Sequence, residues 1–236
     1  MDNTNSLMPT LERIEPIATL EPIAKHLESK ARQEPTDNSV QPALTDIPDS
    51  LLPIDAAAEV ASQIDYLVAS LADPDPAITT VALQALRELG DAAVPALIMA
   101  IDNYHNQARL YAVKALADIG SLQSLDVLIQ CAQPDELMLG VRRAAILGLT
   151  RINWPYHSPA PIANQQARIF ELFSDLCTDP NWSVRYAVVV ALANLSKHER
   201  HQFNFCMGEL LEPLCAQETE PVVKTRANVV LQQYLA

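Results

Sequence analysis

Three runs of the sequence open with arginine where carboxylate or ring chemistry could follow. Ala108-Arg109, Val141-Arg142 with Arg143 behind it, and Val184-Arg185 each begin a stretch of apolar residues at helical spacing. Aromatic residues are only 5% of the chain, yet many fall beside these arginines. Tyr104 and His105 precede Arg109, Trp154 follows the double-arginine run, and Trp182 and Tyr186 bracket Arg185. Guanidinium forks suit carboxylates, and rings suit a flat conjugated ligand. A protein partner asks for the same types, since interface hot spots favour Trp, Tyr and Arg. Arg109, Arg142, Arg143 and Arg185, with Tyr104, Trp154, Trp182 and Tyr186, are the candidate binding residues.

A second use for the arginines is architectural. Asp102 stands seven residues before Arg109, Asp135 seven before Arg142, and Asp179 six before Arg185. An acid so placed can cap the helix and pair with the arginine of its own or a neighbouring repeat. At the start of its helix Arg142 need not be buried. This ladder leaves Arg143 and the aromatics without a role. No Ser/His/Asp or Cys/His constellation emerges from the scattered single residues. The phrase KHERH (197–201) holds one His-Glu pair and reads as a solvated loop, so no metal site is expected. Cys131, Cys177 and Cys215 sit at helix-packing positions, as small core residues do.

The elements that carry these residues are repeats. The segments VALQALREL (81–89), AVKALADI (112–119), AAILGLTRI (144–152), VVVALANL (188–195) and NVVLQQYL (228–235) align, with leucine at 86, 116, 149, 192 and 231. Each follows a start dipeptide: Ile78-Thr79, Ala108-Arg109, Val141-Arg142, Val184-Arg185 and Val223-Lys224. Successive second residues lie 30, 33, 43 and 39 apart, and another apolar helix fits between each pair. A period of this length is the signature of an α-solenoid. The spacing predicts an all-α stack of five helical hairpins over 58–236, with Leu149 between repeats. Residues 1–57 carry scattered proline, polar stretches and the twin phrases IEPIA and LEPIA, and read as a largely disordered leader.

Composition agrees with that class. The chain has 236 residues, 49% of them apolar, and five glycines, too few for a sheet-rich fold or a phosphate-cradling loop. A net charge of −13 argues against nucleic acid as the main partner. No apolar run approaches the roughly 20 residues of a membrane span. The four cysteines form no CxxC pair and no early secretory segment precedes them, which points to a reduced, cytoplasmic compartment.

The turn–V-R–A-x-x-A-L-x-x-L pattern resembles HEAT repeats. More specifically, DNYHNQARLYAVKALADIG, VRRAAILGLTRINW and CTDPNWSVRYAVVVALANL resemble the F-type subunits of the two-chain phycocyanobilin lyases of cyanobacteria. The resemblance covers roughly residues 60 to 236. It implies a heterodimer with an E-type solenoid subunit that attaches phycocyanobilin to a cysteine of the phycocyanin α subunit. The bilin is then substrate, and no cofactor of the chain's own is implied. By the same resemblance the four arginines are candidates to clamp the bilin propionates, and Tyr104, Trp154 and Trp182 to pack its rings. Asp179 is a candidate to bond the pyrrole N–H groups, and His105 to assist proton transfer. The related phycoerythrocyanin lyase-isomerase carries a His-Cys motif at a turn that here reads NYHNQAR, without cysteine; plain attachment is therefore implied. Two alternatives stay open at this point. One is a non-enzymatic HEAT scaffold that binds phycobiliproteins. The other is a lyase for a different bilin or acceptor, such as phycoerythrobilin on phycoerythrin.

Overall fold

A computed structural model describes residues 56–104, 106–154, 159–197 and 204–235. Residues 1–55, with both IEPIA and LEPIA, lie outside the described residues, as do His105 and most of KHERH. Among the described residues every regular element is a helix. In chain order these are α1 (Ala56–Ala69), α2 (Pro76–Leu89), α3 (Val94–Asn103), α4 (Asn106–Ile119) and α5 (Leu125–Ala132), then α6 (Leu139–Leu149), α7 (Pro159–Leu176), α8 (Trp182–Lys197), α9 (Asn204–Gln217) and α10 (Pro221–Leu235). No described helix is long and apolar enough to cross a membrane.

The ten helices form five hairpins, α1/α2 through α9/α10, in two layers. The second helices α2, α4, α6, α8 and α10 pack each on the next and build a continuous layer. All five start dipeptides fall in the first turn of these helices. Leu86, Leu116, Leu149 and Leu192 are buried between layers and repeats, and Leu149 is 1% exposed. Repeat stacks hold together mainly through such neighbour contacts.

Two glycines set how closely the second helices approach. A Cβ on Gly148 of α6 would come within 2.7 Å of the Ala117 Cβ on α4, so only glycine lets these backbones close. Gly120 ends α4 with φ of +68°, a conformation L side chains rarely adopt, and its carbonyl accepts a 2.8 Å hydrogen bond from the Asn153 N–H. The end of α4 is thereby stitched to the end of α6. At the other end of the stack Asp75 caps α2 by accepting from the Ala77 N–H at 2.9 Å, with Pro76 in the first helical position.

Candidate functional site: an arginine ladder and the open face beside it

Three of the candidate arginines form a ladder with one polarity. Each reaches forward, from its own second helix to an acid in the turn of the following repeat. Arg109 binds Glu136 through Nε and Nη2, at 3.1 and 2.8 Å. Arg142 binds Asp179 at 2.5 Å, and Arg185 grips both carboxylate oxygens of Glu218 at 2.7 Å each. Each also donates to a backbone carbonyl of its own repeat, at the end of the first helix or in the turn after it: Arg109 to Ile101, Arg142 to Ala132, and Arg185 to Asp179. The acids hold their own turns in the same way. Glu136, Asp179 and Glu218 accept from the N–H two residues ahead, on Met138, Asn181 and Glu220.

The central rung is dry. The Arg142 and Asp179 side chains are 6% and 2% exposed. Arg142 is therefore buried, contrary to the expectation from its place at a helix start, and it can be because a carboxylate and a carbonyl replace the water it loses. At the last rung the bidentate bond from Arg185 holds the Glu218 carboxyl below the usual carboxylate range, and the same bond raises the guanidinium. A cavity of about 540 Å³ lies over this rung, walled by Cys177, Pro213 and Leu214 among others.

Sequence reasoning named the arginines and Asp179 but missed Glu136 and Glu218. The pairing runs to the neighbouring repeat, and Asp102 and Asp135 take no part in it. The signal was present: Asp73, Glu136, Asp179 and Glu218 each stand six residues before the ladder position at 79, 142, 185 and 224. In the second repeat that acid position is Asn103, and in the first the arginine position is Thr79. Both halves of the first rung are missing together. Thr79 instead donates to the carbonyls of Asp73 and Asp75, and a cavity of about 320 Å³ remains beside it.

The other candidates fall in separate places. Tyr104 ends α3, half-buried, and Trp182 begins α8 with 48% exposure, both on the edge where the second helices start. Trp154 lies five residues past the other end of α6, an axial distance of about 16 Å away for eleven helical residues. Arg143 and Tyr186 occupy the face of the second-helix layer that the first helices leave open. On this face, residues one, five and nine places after the ladder position recur in register: Leu110, Lys114 and Asp118 on α4, Arg143 and Leu147 on α6 with Arg151 just past its end, and Tyr186, Val190 and Asn194 on α8. Arg151 pairs with Asp118 across the two helices. Lys114 sits 5.5 Å over the Tyr111 ring, and among the described residues Arg143 has neither an ion-pair nor a hydrogen-bond partner. Arg143 and Lys114 are thus two cations without an acid on adjacent helices; Lys114 and Tyr111 were not singled out from sequence. Among the described residues no group of three or more His, Cys, Asp or Glu gathers to hold a metal ion.

Models of HEAT repeats match residues 64–150 and 169–198. The phycocyanobilin lyase subunit beta of Nostoc sp. strain PCC 7120 is 35% identical over 81% of this chain and 94% of its own length. The chain belongs to the F-type, or beta, subunit family of phycocyanobilin lyases. Another relative in this family, the phycocyanin alpha phycocyanobilin lyase CpcF of Synechocystis sp. strain PCC 6803, is 32% identical over 72% of this chain and 79% of its own. Among solved structures, a chain of the CpcE–CpcF complex of phycocyanin lyase from Nostoc sp. PCC7120 superposes with a TM-score of 0.63 at 30% identity, covering 72% of this chain and 98% of that one. For this F-type subunit the ladder is the scaffold, and the open face beside it is the accessible surface that carries unpaired cations.

Proposed function

We propose that this chain is one subunit of a bilin lyase that, with an E-type partner, attaches phycocyanobilin to a cysteine of the phycocyanin α subunit. The observation that carries this is membership of the F-type family, over 94% of the length of the Nostoc relative and 79% of the Synechocystis one, with a solved relative taken from an E–F complex. The bond formed is a thioether. The acceptor's thiol adds across the ethylidene double bond on ring A: the S–C bond forms, the C=C π bond is consumed, and the thiol proton ends on the bilin. Nothing leaves and nothing is oxidised.

The nucleophile belongs to the acceptor. In this chain burial pushes the Cys131 thiol up to about 11 and that of Cys177 to about 12, so both stay protonated near neutrality. What remains for the lyase is to hold one bilin conformer in register with the acceptor thiol. The open face has the groups for it. Arg143 and Lys114 each present an unpaired cation to one of the two propionates, and Tyr186 supplies ring surface. Arg109, Arg142 and Arg185 are each engaged with a ladder acid and a backbone carbonyl and act as positioning residues, fixing the spacing of α4, α6 and α8. Asp179 has both carboxylate oxygens engaged, which leaves it in the same structural role. Trp182 and Tyr104, on the adjoining edge, are placed to meet the acceptor or the partner. His105 remains the candidate proton carrier.

Bilin titration of the heterodimer tests the site. Arg143→Ala and Lys114→Ala should each weaken bilin binding about tenfold or more, the worth of one charge-assisted hydrogen bond, with melting unchanged. Wild-type affinity in both variants, with the heterodimer intact, would remove the open face as the bilin site.

A further inference from the structure

The two unpaired cations of the open face are not held alike. The Lys114 ammonium lies over the Tyr111 ring, 5.5 Å from its centroid and one turn back on α4. Among the described residues no acid engages Lys114, and nothing at all engages Arg143. The nearest acid ahead of Lys114 on its own helix is Asp118, whose carboxylate is taken by Arg151. The kind of anchor matters. A carboxylate fixes a cation and cancels its charge, as Asp118 does for Arg151. A ring attracts the ammonium through the quadrupole of its face and leaves the whole charge for an incoming anion.

Tyr111 departs from the register of its repeat. On α6 the stripe Gly140, Ala144 and Gly148 faces the preceding helix: a Cβ on Gly140 would meet Leu110, and one on Gly148 would meet Ala117. The same stripe on α8 is Ser183, Ala187 and Ala191. On α4 it is Gln107, Tyr111 and Ala115, so a phenol stands where the later repeats carry alanine. The α4–α6 seam is closed so tightly that Gly148 could not bear a Cβ, whereas the α2–α4 seam admits a ring. The room comes from the first rung. Where later repeats place a guanidinium, the short Thr79 side chain turns back onto the carbonyls of Asp73 and Asp75. Tyr111, half-buried, walls the 320 Å³ cavity beside Thr79 together with Gln107. The rung is lost and the ring is gained at one junction.

We propose that Tyr111 is a positioning residue for bilin binding: its ring holds the Lys114 ammonium, charge intact, where a propionate arrives. The inference rests on the open face being the bilin site. Tyr111 acts through Lys114 and does not itself touch the bilin. A long side chain loses rotamer freedom when it grips a carboxylate, and Lys114 has given up part of that freedom before the bilin binds. Arg143, without an anchor, pays that cost on binding. The missing first rung thus serves the site, because it seats the ring that steadies one of its two cations.

Titration of the heterodimer with phycocyanobilin, and with its dimethyl ester, whose propionates carry no charge, tests it. Tyr111→Leu should weaken binding of the free acid about two- to tenfold, the ordering cost of one long side chain. Tyr111→Phe, which keeps the ring, should restore what leucine loses. Affinity for the dimethyl ester should not respond to Tyr111→Leu. In a Lys114→Ala background Tyr111→Leu should have no further effect, since the ring acts only through the lysine. That comparison decides the matter even if Tyr111→Leu lowers the melting point, because a packing defect weakens binding equally with and without the lysine. Wild-type affinity in Tyr111→Leu, an equal loss in Tyr111→Phe, or a loss that persists with the ester or without Lys114 would each overturn the proposal and leave the open face standing. Wild-type affinity in both Arg143→Ala and Lys114→Ala would remove the bilin site, and this inference with it.

Discussion

Replacing Asp179 by alanine should do more damage than any other single loss of charge in the stack. The change strands the Arg142 guanidinium, whose side chain is 6% exposed, away from water and without its carboxylate. It also removes the 2.8 Å bond that holds the Asn181 N–H in the turn before α8. Breaking a buried pair from one side costs about 3–5 kcal/mol. For a repeat array of this size each kcal/mol moves the melting point by about 2–4 °C, so a fall of about 6–20 °C is expected. Urea unfolding followed by far-ultraviolet circular dichroism gives the free energy directly. Two comparisons locate the cause. Asp118→Ala breaks a pair that is half exposed and should cost at most about 1 kcal/mol. Arg142→Met with Asp179→Leu removes both charges and should regain most of the loss, since a buried pair is often replaceable by apolar groups of similar volume. A loss below about 1 kcal/mol for Asp179→Ala would show that water reaches Arg142 and that the dry rung is wrong.

Two other perturbations test the scaffold. Glu218 titrates below the ordinary carboxylate range when folded, so its contribution is complete above the unfolded value near 4.3 and is lost as the pH falls through the lower folded value. Glu218→Gln should be less stable than wild type at neutral pH and should lose less on acidification; parallel pH profiles would contradict this. Gly148→Ala brings a Cβ within 2.7 Å of Ala117 and should cost about 1–3 kcal/mol by urea unfolding, since α4 and α6 must separate; an unchanged midpoint would mean that the helices are not held this closely.

Helix number, helix type and the five second-helix starts were legible in the sequence because they follow from apolar spacing alone. So was the ladder in outline, since arginine recurs at the first turn of three repeats. Its direction was not legible. Asp135 and Glu136 are adjacent, and only the packing of α4 against the turn before α6 shows that Glu136 belongs to Arg109 of the repeat before. The same limit explains why Arg142 and Arg143, neighbours in sequence, have opposite fates: a helix turns 100° per residue, which puts one under the next repeat and the other on the open face. Lys114 escaped notice because nothing local marks it. It stands out only when the burial of α4, α6 and α8 is compared in register, where it and Arg143 are seen to share a face. Tyr104, Trp154 and Trp182 were grouped by closeness to arginine in the chain, yet the structure sets them on opposite ends of the second helices.

Bilin transfer is the most direct measurement of the central claim. The chain is co-expressed with an E-type subunit, a phycocyanobilin supply and the phycocyanin α subunit, and the acceptor is run on a denaturing gel with zinc to reveal bound bilin by fluorescence. A fluorescent acceptor band that requires both lyase chains, and that is lost when the acceptor cysteine is replaced by serine, is the result this account predicts. Attachment at the same rate without this chain, or no attachment with both chains and bilin present, would contradict it.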